Sequence, residues 1–88
     1  MATTDTVVTT YIEPHPRKRD PAEARLVHSG TPVWSLIGYL IGVNWDRERT
    51  ARDYDLPLAA VDAAIAYYHA HEADLNPRLR RTLANHPR

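Results

Sequence analysis

No cysteine occurs in this chain, so disulfides, thiolate metal sites and a cysteine nucleophile are excluded. Neither sign of charge is in surplus: eleven Lys and Arg residues balance eleven Asp and Glu. A neutral total supplies no global attraction to nucleic acid or anionic membrane, so any such contact must come from a local patch. Glycine is scarce, three residues that stand apart, which excludes a glycine-rich phosphate loop. The longest apolar run, residues 33–43, is too short to span a bilayer and carries Ser35. The opening MATTDTVVTT has neither a basic region nor an apolar core, so no signal peptide is expected and the cytoplasm is.

Catalytic groupings are missing as well. His69 and His71 are two residues apart on a helical stretch, point in different directions and cannot chelate one ion. His69 and Glu72, three apart, read as an exposed polar pair. Ser29 and Ser35 have no local signature of an activated nucleophile. No enzymatic activity, metal or cofactor is expected.

What is present centres on residues 44–68, NWDRERTARDYDLPLAAVDAAIAYY. The pattern predicts a short helix, a tight turn and a longer helix, with Ala51 small enough for a helix crossing. Before it, residues 33–41 predict a helix that is apolar nearly all round, and therefore buried on more than one side. Thr31 is its expected N-cap, Pro32 its first residue and Gly42 its stop. Asn44 is expected to cap the next helix. The third helix should run from Pro57 to about Leu75, with Leu58, Val61, Ala64, Ile65, Tyr68 and Leu75 facing the core. Asn76-Pro77 should break it. Nearer the N-terminus, the β-branched residues 7–13 (VVTTYIE) and residues 25–28 (RLVH) predict two strands that pair as a hairpin. Residues 1–6 are expected to be disordered, 7–76 to form one domain, and 77–88 to be a basic tail. The fold class is mainly α: a small three- to four-helix, helix-turn-helix-like domain with an N-terminal β-ribbon.

The runs GTPVWSLIGYLIG and TARDYDLPLAAVDAAIAYYHAHEADLNPRL resemble the domain-of-unknown-function family numbered 433. The similarity covers about residues 25–79, and Gly30, Thr31, Pro32, Val33, Ala51, Tyr54, Val61, Ala64, Tyr67 and Tyr68 fall on the family pattern. It implies a homeodomain-like helix-turn-helix and an antitoxin-like protein, paired with a PIN-like ribonuclease toxin. The matched residues are structural, and none is catalytic.

Three surfaces are candidates for contact. A homodimer is expected through Trp34, Ile37 and Ile41, because one small core should not cover an all-apolar helix, and through the alanine face Ala59, Ala63, Ala66 and Ala70. Arg17, Lys18, Arg19, Arg47, Arg49 and Arg52 are candidates for DNA-backbone contact, which should be weak and nearly independent of sequence. The third helix presents Ala59, Ala60, Asp62 and Ala63 where base-reading side chains would stand. Arg78, Arg80, Arg81 and Arg88 are candidates for contact with a carboxylate-rich toxin. The function expected is antitoxin-like neutralisation by direct binding. The alternatives are a DNA-binding repressor and a small dimeric interaction module without a toxin.

Overall fold

The computed structural model describes residues 8, 10–27 and 29–84, the last three by their backbone alone. The expectations placed on residues 1–6, Val7, His28 and Arg88 lie outside the described residues. In chain order the elements are β1 (Ile12–Glu13), a one-turn 3-10 helix (Pro21–Glu23), β2 (Arg25–Leu26), α1 (Val33–Gly42), α2 (Arg47–Tyr54), α3 (Leu58–Ala70) and α4 (Glu72–Ala84). The domain is mainly helical with a two-stranded antiparallel sheet near its N-terminus.

The strands are shorter than the β-branched pattern predicts. β1 and β2 pair only Ile12 with Leu26 and Glu13 with Arg25. Directly after Leu26 the chain turns: Gly30, with φ of 72°, donates its N–H to the Leu26 carbonyl at 2.9 Å. Val27 N–H still reaches the Tyr11 carbonyl at 2.9 Å, but no further bridge forms among the described residues, and Thr10 and Tyr11 are helical. Backbone groups without a sheet partner need an internal one, and a helical turn supplies it.

α1 begins one residue later than its turn residues predict. Pro32 is the N-cap, while the Thr31 hydroxyl accepts a hydrogen bond from Ser29 Oγ at 2.8 Å. The Thr31 carbonyl is already engaged by the Leu26 N–H at 2.8 Å, and Pro32 bridges to Arg25, so this stretch still belongs to the ribbon. As its composition predicts, α1 is buried on several sides. Val33, Leu36, Ile37 and Leu40 are fully buried, and α1 packs against α2, α3, α4 and the 3-10 turn.

Three left-handed residues, none a glycine, set the turns on either side of α2: Asn44 and Trp45 before it and Asp55 after it. At the end of α1, Asn44 has φ of 62°, Trp45 N–H donates to the Leu40 carbonyl at 2.7 Å, and Asn44 N–H to Ile41 at 3.2 Å. Asp55 repeats the pattern after α2: φ is 55°, Leu56 N–H reaches the Ala51 carbonyl at 2.8 Å and Asp55 N–H reaches Arg52 at 3.2 Å. Both are Schellman closures, which satisfy carbonyls that a helix end leaves open. Asn44 thus closes α1 rather than capping α2, and Gly42 lies inside α1. The N-cap of α2 is Asp46, whose Oδ1 accepts from Arg49 N at 3.0 Å. Thr50, the one buried polar side chain among the described residues, donates to the Asp46 carbonyl at 2.9 Å and is satisfied. Because a Cβ at positive φ is unfavourable, Asp55→Gly should raise stability by about 0.5–1 kcal/mol. Urea denaturation would register this as a higher midpoint at unchanged slope. A lowered midpoint would mean that the aspartate side chain stabilises the turn.

The largest departure is at the C-terminal end. The chain bends at His71 (φ −130°, ψ 34°), and α4 then runs through Pro77 instead of stopping at Asn76-Pro77. A proline inside a helix costs about 3 kcal/mol. Leu75 and Leu79, one turn apart on α4, are both buried in the core, and burying each contributes about 1.5–3 kcal/mol. Tertiary burial outweighs the local cost, so residues 77–84 continue a packed helix. Tyr68 OH bridges the bend to Asn76 Oδ1 at 2.7 Å. Tyr67 OH donates to the Pro21 carbonyl at 2.8 Å, tying the 3-10 turn to α3. Burial, with smaller contributions from Asp74 and Asp20, pushes the Tyr67 hydroxyl above its ordinary range, so it keeps this proton at neutral pH.

Candidate functional site

α2 and α3 pack against each other across the turn 55–57, and Ala51 of α2 is buried in the core. Along the outer side of α3 the exposed or half-exposed residues are Leu58, Ala59, Asp62, Ala66 and Ala70. Ala60, Ala63 and Ala64 face inward and are buried. The alanine stripe read from spacing therefore splits: Ala63 lies in the core, Ala59 and Ala70 at the surface, and Ala66 between. The helix is short of apolar bulk, and alanine is what lets α1 lie close against it.

The cations divide sharply by environment. Arg47 grips Asp62 with both ends of its fork, Nε to Oδ1 at 2.6 Å and Nη2 to Oδ2 at 2.8 Å. Hydrogen bonding to Asp62, and its charge, raise the Arg47 pKa further. Arg49 lies 3.6 Å from Asp53, which also accepts a hydrogen bond from Tyr39 OH. That bond, above all, raises the Tyr39 pKa. Arg78 pairs with Glu23 at 3.0 Å and lies over the Trp34 ring, 4.6 Å from its centroid. Arg17, Lys18, Arg19, Arg52, Arg80 and Arg81 are exposed and have no carboxylate partner among the described residues. Of the five arginines and one lysine grouped as DNA contacts, Arg47 and Arg49 are thus paired within the chain. Of the arginines grouped as partner contacts, Arg78 serves the fold, and Arg80 and Arg81 remain available.

The surfaces expected to form a dimer look different in three dimensions. Ile37 is fully buried within the chain, as is Ala63, so neither has surface to offer a second copy. Trp34 is half-buried beneath Arg78, and its indole N–H is enclosed without an acceptor among the described residues. Ile41 is exposed. α4 supplies Leu75 and Leu79 to the core around α1, while Ile41 and part of Trp34 stay uncovered within the chain.

Other features carry no clear signal in the sequence. Trp45, also left-handed with φ of 62°, is 40% exposed and stacks at a tilt on Tyr68, ring centroids 6.2 Å apart. With Ile41 and Leu58 it is among the large apolar side chains left at the surface. A cleft of about 350 Å³ opens between the ribbon and the α2–α3 turn, lined by Tyr11, Leu26, Val27, Tyr54, Leu56 and Pro57 among others. His69 lies 3.1 Å from Glu72 and His71 3.7 Å from Asp74, as local pairs at the surface. Among the described residues no group of three or more His, Asp or Glu side chains is placed to hold a metal ion. No helix among them is long and apolar enough to cross a membrane. No family model matches the chain, no curated protein is significantly similar to it, and no solved structure matches it.

Proposed function

We propose that the chain is an antitoxin-like protein that neutralises a PIN-like ribonuclease by direct binding, using a homeodomain-like helix-turn-helix as scaffold. In this reading α2, the turn 55–57 and α3 are the helix-turn-helix, and α3 is a structural helix rather than a base reader. The observation that carries it is the outer face of α3. Where a base-reading helix needs free donors, α3 has Leu58, Ala59 and a carboxylate locked to Arg47. Exposed Trp45, Ile41 and Leu58 suit a protein contact, since interface centres draw on aromatic and apolar anchors. Arg80 and Arg81 suit the carboxylates that surround a divalent metal in a nuclease of this class. The resemblance to the antitoxin-like family numbered 433 points the same way.

The test is co-purification of the tagged chain from its native host, with identification of what is retained. The expected result is a stoichiometric complex with a small metal-dependent ribonuclease whose activity returns when the two are separated. A chain that comes down with no nuclease would remove the antitoxin reading. Tight, competitor-resistant binding to one operator sequence would establish the repressor alternative, which the paired geometry of α2 and α3 keeps in view.

A further inference from the structure

Residues 15–20 form a loop whose shape is held by its own side chains. The ring Nδ1 of His15 accepts hydrogen bonds from the backbone N–H of Arg17 at 3.0 Å and of Lys18 at 3.2 Å. In this geometry the ring offers Nδ1 as a shared acceptor to two successive backbone donors. Pro14 and Pro16 fix φ on either side of the clamp. Downstream, Asp20 turns its carboxylate inward to cap Ala22 N at 3.0 Å. The base of the loop is then anchored by Tyr67 OH on Pro21, by Glu23 on Arg78 and by Glu13 on Arg25.

The outcome is a local field that the neutral total conceals. Arg17, Lys18 and Arg19 are exposed and free of carboxylates among the described residues. Glu13 and Glu23, which could have quenched them, are each held by an arginine elsewhere. No aromatic or large apolar side chain lies in the loop, so it lacks the buried anchor that a protein contact needs. It also lacks the apolar face that seats a segment in a membrane. A cationic loop shaped by its own hydrogen bonds and without apolar anchors fits a polyanion whose charges are regularly spaced and solvent-exposed.

We propose that this loop is a preorganised binding site for the phosphodiester backbone of nucleic acid, engaged without regard to base sequence. It is separate from the protein contact proposed for Arg80, Arg81 and Trp45, and it stands or falls independently. His15 is a positioning residue: by fixing the backbone of Arg17 and Lys18 before binding, it lowers the ordering cost of the contact. Each of the three cations displaces counterions from one phosphate, so affinity should fall with salt along a log–log slope of about −2.7 on duplex DNA.

Fluorescence anisotropy of the full chain with a labelled mixed-sequence DNA duplex, an RNA duplex of equal length, and anionic phospholipid vesicles tests this. Wild type should bind at least one duplex at low salt with the stated slope, and the ratio between duplexes assigns DNA or RNA. The triple variant Arg17→Gln, Lys18→Gln, Arg19→Gln should weaken binding more than about tenfold and flatten the slope. His15→Ala keeps every formal cation yet should weaken binding by roughly three- to tenfold, and His15→Asn, with an acceptor oxygen, should restore part of it. Unchanged binding by the triple variant, tighter binding to the vesicles than to either duplex, or no duplex binding at all would overturn the proposal. Equal affinity of wild type and His15→Ala would overturn the preorganised clamp.

Discussion

Replacing Ala63 by glutamate should abolish cooperative folding. Ala63 is fully buried in the core of the domain, among the inward residues of α3 that pack with α1. Glutamate adds a longer side chain to a site without space, an overpacking cost of about 1–3 kcal/mol. It also adds a carboxylate without a partner, whose desolvation costs several kcal/mol more. A domain of 88 residues has a total stability of roughly 4–13 kcal/mol, so the two costs together consume most or all of it. Ala59→Glu is the control. That position is exposed and in the first turn of α3, where a negative charge favours the helix, so its stability should change by no more than about 0.5 kcal/mol. Thermal melts followed by circular dichroism separate the cases: a sharp transition for Ala59→Glu and none for Ala63→Glu. A well-folded Ala63→Glu variant would mean that α3 presents its alanines to solvent or to a second chain.

The second large effect is expected from α4. Leu79 is only 4% exposed, and trimming it to alanine should cost about 2–5 kcal/mol through lost burial and the cavity left behind. Ending the chain at Asn76 should cost more, because it removes Leu79, the Arg78–Glu23 pair and the guanidinium that covers Trp34. A dispensable basic tail would tolerate that truncation. Urea unfolding decides the matter: the truncated chain should show a lower midpoint and an altered slope, or no folded baseline at all. A midpoint equal to that of the full chain would show that α4 contributes nothing to the core.

Much of this architecture is legible in the sequence, and the failures have identifiable causes. The all-apolar residues 33–41, the small Ala51 and the break before Leu58 are local signals, and they place α1, α2 and the start of α3 to within a residue or two. The strand pattern misleads at Val8, Thr10 and Tyr11, which are helical, because strand preference needs a partner strand and β2 is only two residues long. Asn76-Pro77 misleads because a local penalty is weighed without knowing that Leu75 and Leu79 return to α1. Asn44 is misassigned since asparagine serves equally as an N-cap and as a left-handed helix terminator. On the surface, the loss is of pairing. The sequence lists the arginines, but only the fold shows that Arg47, Arg49 and Arg78 are tied to Asp62, Asp53 and Glu23. The His15 clamp has a partial signal in the proline–histidine–proline run before the three cations.

The proposed inhibition of a ribonuclease by cations that the fold leaves free is tested most directly by a titration. A nuclease that co-purifies with this chain, once separated from it, is assayed on a labelled RNA against increasing amounts of the chain. Arg80 and Arg81 are exposed on α4 and take no part in the core, so Arg80→Glu with Arg81→Glu should fold as wild type does. Wild type should extinguish cleavage near equimolar ratio, and the doubly substituted chain should leave most of it at the same ratio. Equal inhibition by both would remove these arginines from the contact, and undiminished cleavage in the presence of wild type would contradict the antitoxin reading itself.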